Sequence, residues 1–151
     1  MNLIIMNEIE KPFDRIVLPI DGSDPSKNAI RKSLELAKNL KLPIHAIYVI
    51  DMSMYSNILT SDQVSEQWRS ILENEGLSLL NNFKESAKKE NVPTETEMLE
   101  GVPSEEIIET SKKNDLIIMG RKGKSSLDRI FIGSVSENVL HHSDSTVLLI
   151  H

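Results

Sequence analysis

The stretch from Met119 to Ser134 gathers three glycines (Gly120, Gly123, Gly133), three hydroxyls (Ser125, Ser126, Ser134) and four cationic side chains (Arg121, Lys122, Lys124, Arg129). It follows an apolar run, Leu116 to Met119, that reads as a strand, and leads into Val135 to His142, which reads as a helix. At such a junction backbone N–H groups are exposed and the helix dipole favours an anion. The predicted chemistry is phosphate binding. Two common phosphate loops fail on spacing. Gly123-Lys124-Ser125 matches the second half of a Walker loop, but the required earlier glycine is Ile118. The first strand-to-helix turn, Asp21-Gly22-Ser23-Asp24-Pro25, holds a single glycine and so no dinucleotide fingerprint. The spacing that fits is GxxGxxxxxxxxxG[ST], met by Gly120, Gly123, Gly133 and Ser134.

The elements that must position this loop follow from hydrophobic patterning. Arg15 to Ile20 reads as a doubly buried strand whose carboxyl end is marked by Pro19, because proline cannot donate to a ladder. Asp24 is expected to cap a helix with Pro25 at its first position, carrying Ala29, Ile30, Leu34, Leu36, Ala37 and Leu40 on its apolar face. Ile44 to Ile50 is a second strand. A long helix is expected from Asp62, with Val64, Trp68, Ile71, Leu72, Leu79, Leu80, Phe83 and Ala87 toward the core and Gly76 as a candidate bend. Thr94 to Leu99 reads as a polar edge strand, Ser104 to Lys113 as a third helix opened by Pro103, and Thr146 to His151 as the last strand.

Strands alternating with helices predict an α/β fold: one domain over residues 1–151, with a five-stranded parallel sheet and helices on both faces. Residues 1–13 read as a flexible N-terminal extension. In a doubly wound sheet the ligand crevice lies beyond the carboxyl ends of the strands, where the strand order reverses. With the order 3-2-1-4-5, Asp21 after the first strand and Gly120 at the end of the fourth face one crevice. A nucleoside phosphate needs such a pair, a carboxylate for ribose hydroxyls and amides for phosphate oxygens.

The glycine spacing, with Pro19, Asp21 and Ser23, Tyr48-Val49-Ile50-Asp51, Asp115 to Gly120, Gly133 to Val139 and Thr146 to Ile150 in register, resembles the universal stress protein family in its nucleotide-binding branch. The resemblance implies an adenine-nucleotide site for ATP, or ADP or AMP, with any Mg²⁺ held mainly by the phosphates. It implies that Asp21 contacts the ribose or the adenine side and that Val49 offers backbone to the adenine edge. Gly120 would lie beneath the ribose and Gly123 would approach the phosphates. Gly133, Ser134, Val135 and Ser136 would present N–H and hydroxyl donors, with Ser134 where a helix N-cap hydroxyl would be. Pro19, Met119 and Arg121 complete the implied set. Arg121 stands where many members have a small polar residue, so it either pairs with phosphate or stays in solvent. The resemblance also implies a homodimer formed through the C-terminal strand, an edge without charge or proline to discourage pairing.

Composition limits the alternatives. A net charge of −6 opposes a broad nucleic-acid or anionic-membrane surface, and a single basic loop on an acidic body suits a small anion. The absence of cysteine excludes thiol catalysis and fits a reducing compartment. No apolar run approaches the ~20 residues of a membrane span, and a cytoplasmic location is the default expectation. Blander readings stand beside the functional ones. Asp21 also fits a turn or cap, Lys122, Lys124 and Arg129 a solvated loop face, Trp68 and Phe83 the core, and His141-His142 a helix end rather than a metal site. No nucleophile elbow or HExxH is present, and no catalytic residue or protein-ligated metal is assigned. The leading expectation is a nucleotide-dependent regulatory or stress-response switch. A slow ATPase or phosphotransferase using phosphate-bound Mg²⁺ and the hydroxyl of Ser134 or Ser136 is the alternative, and a purely structural partner protein is a third.

Overall fold

Short β-rich runs separated by amphipathic stretches build the sheet that the sequence predicts. The computed structural model describes residues 11–53, 61–123 and 131–151. Most of the expected N-terminal extension, and Lys124, Ser125, Ser126 and Arg129 of the basic loop, lie outside the described residues. In chain order the elements are β1 Ile16–Pro19, α1 Asp24–Leu40, β2 Ile44–Ile50, α2 Asp62–Lys89, β3 Thr94–Glu100, α3 Pro103–Thr110, β4 Leu116–Gly120, α4 Ser134–His142 and β5 Thr146–Ile150. The strands form one parallel sheet in the order β3-β2-β1-β4-β5.

Strand side chains alternate between faces, which splits the core in two. Ile16 and Leu18 of β1, Ile44 and Tyr48 of β2, and Leu116 and Ile118 of β4 pack with Ala29, Leu34 and Ala37 of α1 and Leu80 and Phe83 of α2. Val17, Ile47, Ile117 and Met119 turn the other way, onto Ile107 of α3 and Val139 of α4. Phe13, from the segment expected to be a free extension, packs partly buried against the larger cluster.

Helix ends depart from expectation for identifiable reasons. Ser23, not Asp24, caps α1. Its Oγ accepts from Ser26 N at 3.2 Å and its carbonyl accepts from Lys27 N at 3.0 Å, leaving Asp24 and Pro25 inside the first turn. The third helix stops at Thr110, short of Lys113. The Lys112 amide is drawn to Asp115 Oδ2 at 2.9 Å, and Ser111 Oγ donates to Ile107 O at 2.7 Å, so the chain leaves the helix there.

In α2 the core assignment holds for Phe83 and fails for Trp68 and Ile71, which are 36% and 55% exposed. Twenty-eight helical residues span about 42 Å, whereas the seven residues of β2 span about 23 Å. The amino-terminal part of α2 therefore runs past the sheet. Gly76 marks no break, since α2 is continuous across it. A Cβ there would lie 2.5 Å from Tyr48 Cδ1 and 3.0 Å from Met98 Cε, so the missing side chain lets the helix settle on the Tyr48 ring.

A polar cluster closes the amino ends of the strands. Arg15 Nε donates to Asp115 Oδ2 at 3.0 Å, its Nη2 donates to Thr110 O at 2.8 Å, and its Nη1 lies 2.8 Å from His45 Nδ1. A guanidinium only donates, so Nδ1 accepts and the ring proton falls on Nε2. That nitrogen is 3.0 Å from Glu97 Oε2, within ion-pair reach but outside hydrogen-bond geometry. Asp115 is 1% exposed, and its other oxygen has no hydrogen-bond partner among the described residues. The cluster ties β1, β2, β3 and the α3–β4 turn together at the end of the sheet opposite the crevice.

Candidate functional site

The crevice arises where pairing stops. β1 and β4 are in register at Ile16–Leu116 and Val17–Ile117 only, and beyond those pairs a cavity of about 510 Å³ opens at the strands' carboxyl ends. Pro19, Asp21, Val49, Met119, Gly120, Gly123, Gly133, Ser134, Val135 and Ser136 all line it. Apart from Arg121, the residues singled out in the sequence therefore converge, although they come from four separate parts of the chain.

The acidic wall is built by turns that follow the strands. After β1, Gly22 adopts φ 81°, and Asp21 Oδ1 accepts from Ser23 N at 2.9 Å and from Ser23 Oγ at 2.6 Å. The Asp21 amide donates to Ser26 Oγ at 3.2 Å, which holds the carboxylate against the start of α1. The same device recurs after β2, where Asp51 Oδ1 accepts from Ser53 N at 2.9 Å and from Ser53 Oγ at 2.5 Å. Asp51 lines the cavity, as do Tyr48, Leu72 and Glu75, with Tyr48 Oη donating to Glu75 Oε2 at 3.1 Å. Sequence reasoning assigned none of these four to the site. The overshoot of α2 past the sheet brings Leu72 and Glu75 there, and that depends on relative element lengths rather than on any local motif.

The opposite wall is the glycine loop. A Cβ on Gly123 would sit 2.9 Å from Asp21 Oδ2, so the loop backbone and the carboxylate meet across the crevice. A Cβ on Gly133 would lie 3.2 Å from Lys122 Cα and 3.4 Å from Arg121 O, and the Gly133 amide donates to Arg121 O at 2.9 Å. The two ends of the loop are thereby pinned together. Gly133, rather than Ser134, is the N-cap of α4, because Glu137 N donates to Gly133 O at 2.8 Å and no side chain caps the helix. Ser134 is the first helical residue. The amides of Ser134, Val135 and Ser136 have no acceptor within the helix and stand at its positive end.

Some expected contributions differ. Ser136 Oγ donates to Gly120 O at 2.8 Å in a buried bond, so its proton locks α4 onto β4 and is not offered to a ligand. Arg121 does not line the cavity. Its amide donates to Ile150 O at 2.7 Å, so its backbone joins the loop to β5. Met119 is 5% exposed and packs in the smaller core, where it also forms part of the floor. His142 Nδ1 lies 3.0 Å from Asn138 O, a bond to the preceding helical turn. Among the described residues no cluster of His, Cys, Asp or Glu could hold a metal ion.

Lys122 is the residue that sequence reasoning undervalued. It lines the cavity, and its Nζ is buried with no hydrogen-bond partner among the described residues. A buried ammonium on a lysine whose backbone abuts a helix N-terminus suits an anionic ligand group.

Comparison with known proteins agrees with this fold. The model of the universal stress protein family matches residues 12–151. The chain belongs to the universal stress protein family. It is 40% identical to universal stress protein MJ0531 of Methanocaldococcus jannaschii over 152 residues, covering 99% of this chain and 88% of that protein. It is 30% identical to universal stress protein YxiE of Bacillus subtilis over 146 residues, 91% of this chain and 99% of the other. Among solved structures, universal stress protein UspA from Lactobacillus plantarum shares the fold with a TM-score of 0.78 at 23% identity, covering 92% and 98% of the two chains. A universal stress protein in complex with cAMP has a TM-score of 0.66 at 22% identity, covering 93% and 98%. The universal stress protein of Archaeoglobus fulgidus in complex with dAMP has a TM-score of 0.60 at 20% identity, covering 93% and 99%. Among the described residues of this universal stress protein, no helix is long and apolar enough to cross a membrane.

Proposed function

We propose that this universal stress protein binds an adenine nucleotide, ATP with ADP and AMP as related ligands, and acts as a cytoplasmic regulatory or stress-response switch. The observation that carries this reading is the meeting of the Asp21 carboxylate with the Gly123 backbone across a cavity that ends at the uncapped N-terminus of α4. A cavity of about 510 Å³ lies within the range of small-molecule sites. Structural neighbours crystallised with cAMP and dAMP support the nucleotide class. In this reading Asp21 accepts from ribose hydroxyls, the Val49 backbone meets the base, and the amides of Ser134, Val135 and Ser136 receive the phosphates. Any Mg²⁺ is held mainly by the phosphates, since the cavity offers no cluster of metal ligands among the described residues.

Mass spectrometry of ligand released from gently purified protein tests the proposal directly. An adenine nucleotide near one equivalent per chain is expected, and a flavin, or failure to bind added adenine nucleotides, would overturn it. Turnover separates switch from enzyme. The switch reading expects retention without steady hydrolysis, whereas an ATPase rate abolished by Gly133→Leu would establish the enzyme. The hydrogen bond that occupies the Ser136 hydroxyl favours the switch, because it removes one of the two hydroxyls an enzyme could use.

The switch is proposed to work as a homodimer joined through β5. This strand lies at the sheet edge, and Leu148 is 37% exposed on it. An uncharged edge of this kind invites pairing. Leu148→Lys is expected to convert a dimer into a folded monomer by light scattering. A wild-type monomer would refute this assembly.

A further inference from the structure

We infer that Lys122 makes the cavity selective for a terminal phosphate monoester, which carries close to two negative charges, over a cyclic phosphodiester or an uncharged nucleoside. The inference rests on the adenine-nucleotide reading and adds a discriminating residue to it. A lysine Nζ is usually hydrated or paired. Here it is buried without an acceptor among the described residues, and it makes no salt bridge within 4.0 Å. Holding a desolvated ammonium in that state is unfavourable until an anion arrives.

Among the described residues no carboxylate oxygen lies within 4.0 Å of the Lys122 ammonium. Of the carboxylates lining the cavity, Asp21 and Asp51 each accept from a neighbouring serine, and Glu75 accepts from Tyr48. Glu137, the acidic residue in the first turn of α4, is exposed and does not line the cavity. The Lys122 Cα lies 3.2 Å from where a Gly133 Cβ would be, so its backbone abuts the N-cap of α4. Lys122 and the positive end of α4 therefore belong to the same wall. Two positive sources favour a doubly charged oxygen cluster over a singly charged one. A 5′-phosphate monoester carries about −1.5 to −2 at neutral pH, whereas a cyclic phosphodiester has one ionisable oxygen and carries a single charge.

The test is calorimetric titration of adenosine, AMP, ADP and cAMP into wild-type protein, Lys122→Met and Lys122→Gln. In the wild type, AMP and ADP are expected to bind about 10- to 100-fold more tightly than cAMP or adenosine. Both variants are expected to lose most of that preference while binding adenosine as before. Unliganded Lys122→Met should melt no lower than the wild type, because it removes a buried charge that has no partner among the described residues. An unchanged AMP-to-adenosine ratio in both variants, with wild-type binding intact, would overturn the role of Lys122 alone. Absence of binding by every nucleotide to the wild type would overturn the nucleotide reading and this inference together.

Discussion

Arg15→Met is expected to destabilise the protein by about 3 kcal/mol, because it leaves the Asp115 carboxylate in the core without its cationic partner. Asp115 is 1% exposed, and its hydrogen bonds are the guanidinium at 3.0 Å and the Lys112 amide at 2.9 Å. The same substitution removes the donor to Thr110 O and the partner of His45 Nδ1. A chain of this size should lose roughly 6–12 °C in Tm for that change. Urea unfolding measures it. Adding Asp115→Asn to Arg15→Met should recover part of the loss, because the second change removes the stranded charge. A single variant within about 0.5 kcal/mol of wild type would show that the cluster is worth no more than a surface pair.

The second large effect belongs to Gly120. A Cβ there would lie 2.9 Å from both Pro25 C and Pro25 Cβ and 3.0 Å from Ser26 N. These are backbone and ring atoms in the first turn of α1, and they cannot rotate aside. Gly120→Ala is expected to cost about 2 kcal/mol, as overpacking does elsewhere, and also to displace Ser26, whose Oγ receives the Asp21 amide. Adenine-nucleotide affinity should therefore fall with stability. Gly123→Ala provides the contrast, because among the described residues its Cβ would meet only the Asp21 Oδ2 end, 2.9 Å away, the tip of a side chain rather than backbone. That variant should lose affinity while staying within about 1 kcal/mol of wild-type stability. Equal stability losses in the two variants would contradict the distinction.

Much of the site was legible because the signals were local. Gly120, Gly123, Gly133 and Ser134 announce themselves by spacing, and Asp21 by its place after a buried strand. Other parts were not. The Ser134 assignment missed the cap by one residue, since glycine at an N-cap leaves no side-chain signature. Arg121, for which the resemblance left phosphate or solvent open, does not line the cavity, and its amide joins the loop to β5. Lys122 looked solvated, and only the packing around it shows that its Nζ is buried. Trp68 followed the apolar period of α2 and still emerged on the surface, because periodicity states which face a residue occupies and not whether anything lies opposite.

By itself the sequence determined the order and type of the elements, the parallel sense of the sheet and the glycine loop at the end of β4. These follow from alternation, capping and turn chemistry, which act over a few residues. Only the tertiary structure decided that α2 reaches beyond the sheet to place Leu72 and Glu75 in the cavity. It also decided that Ser136 donates its proton to Gly120, and that Lys122 Nζ is left without a partner among the described residues. Each of these depends on distances between segments far apart in the chain, and such distances are set by packing rather than by any local pattern.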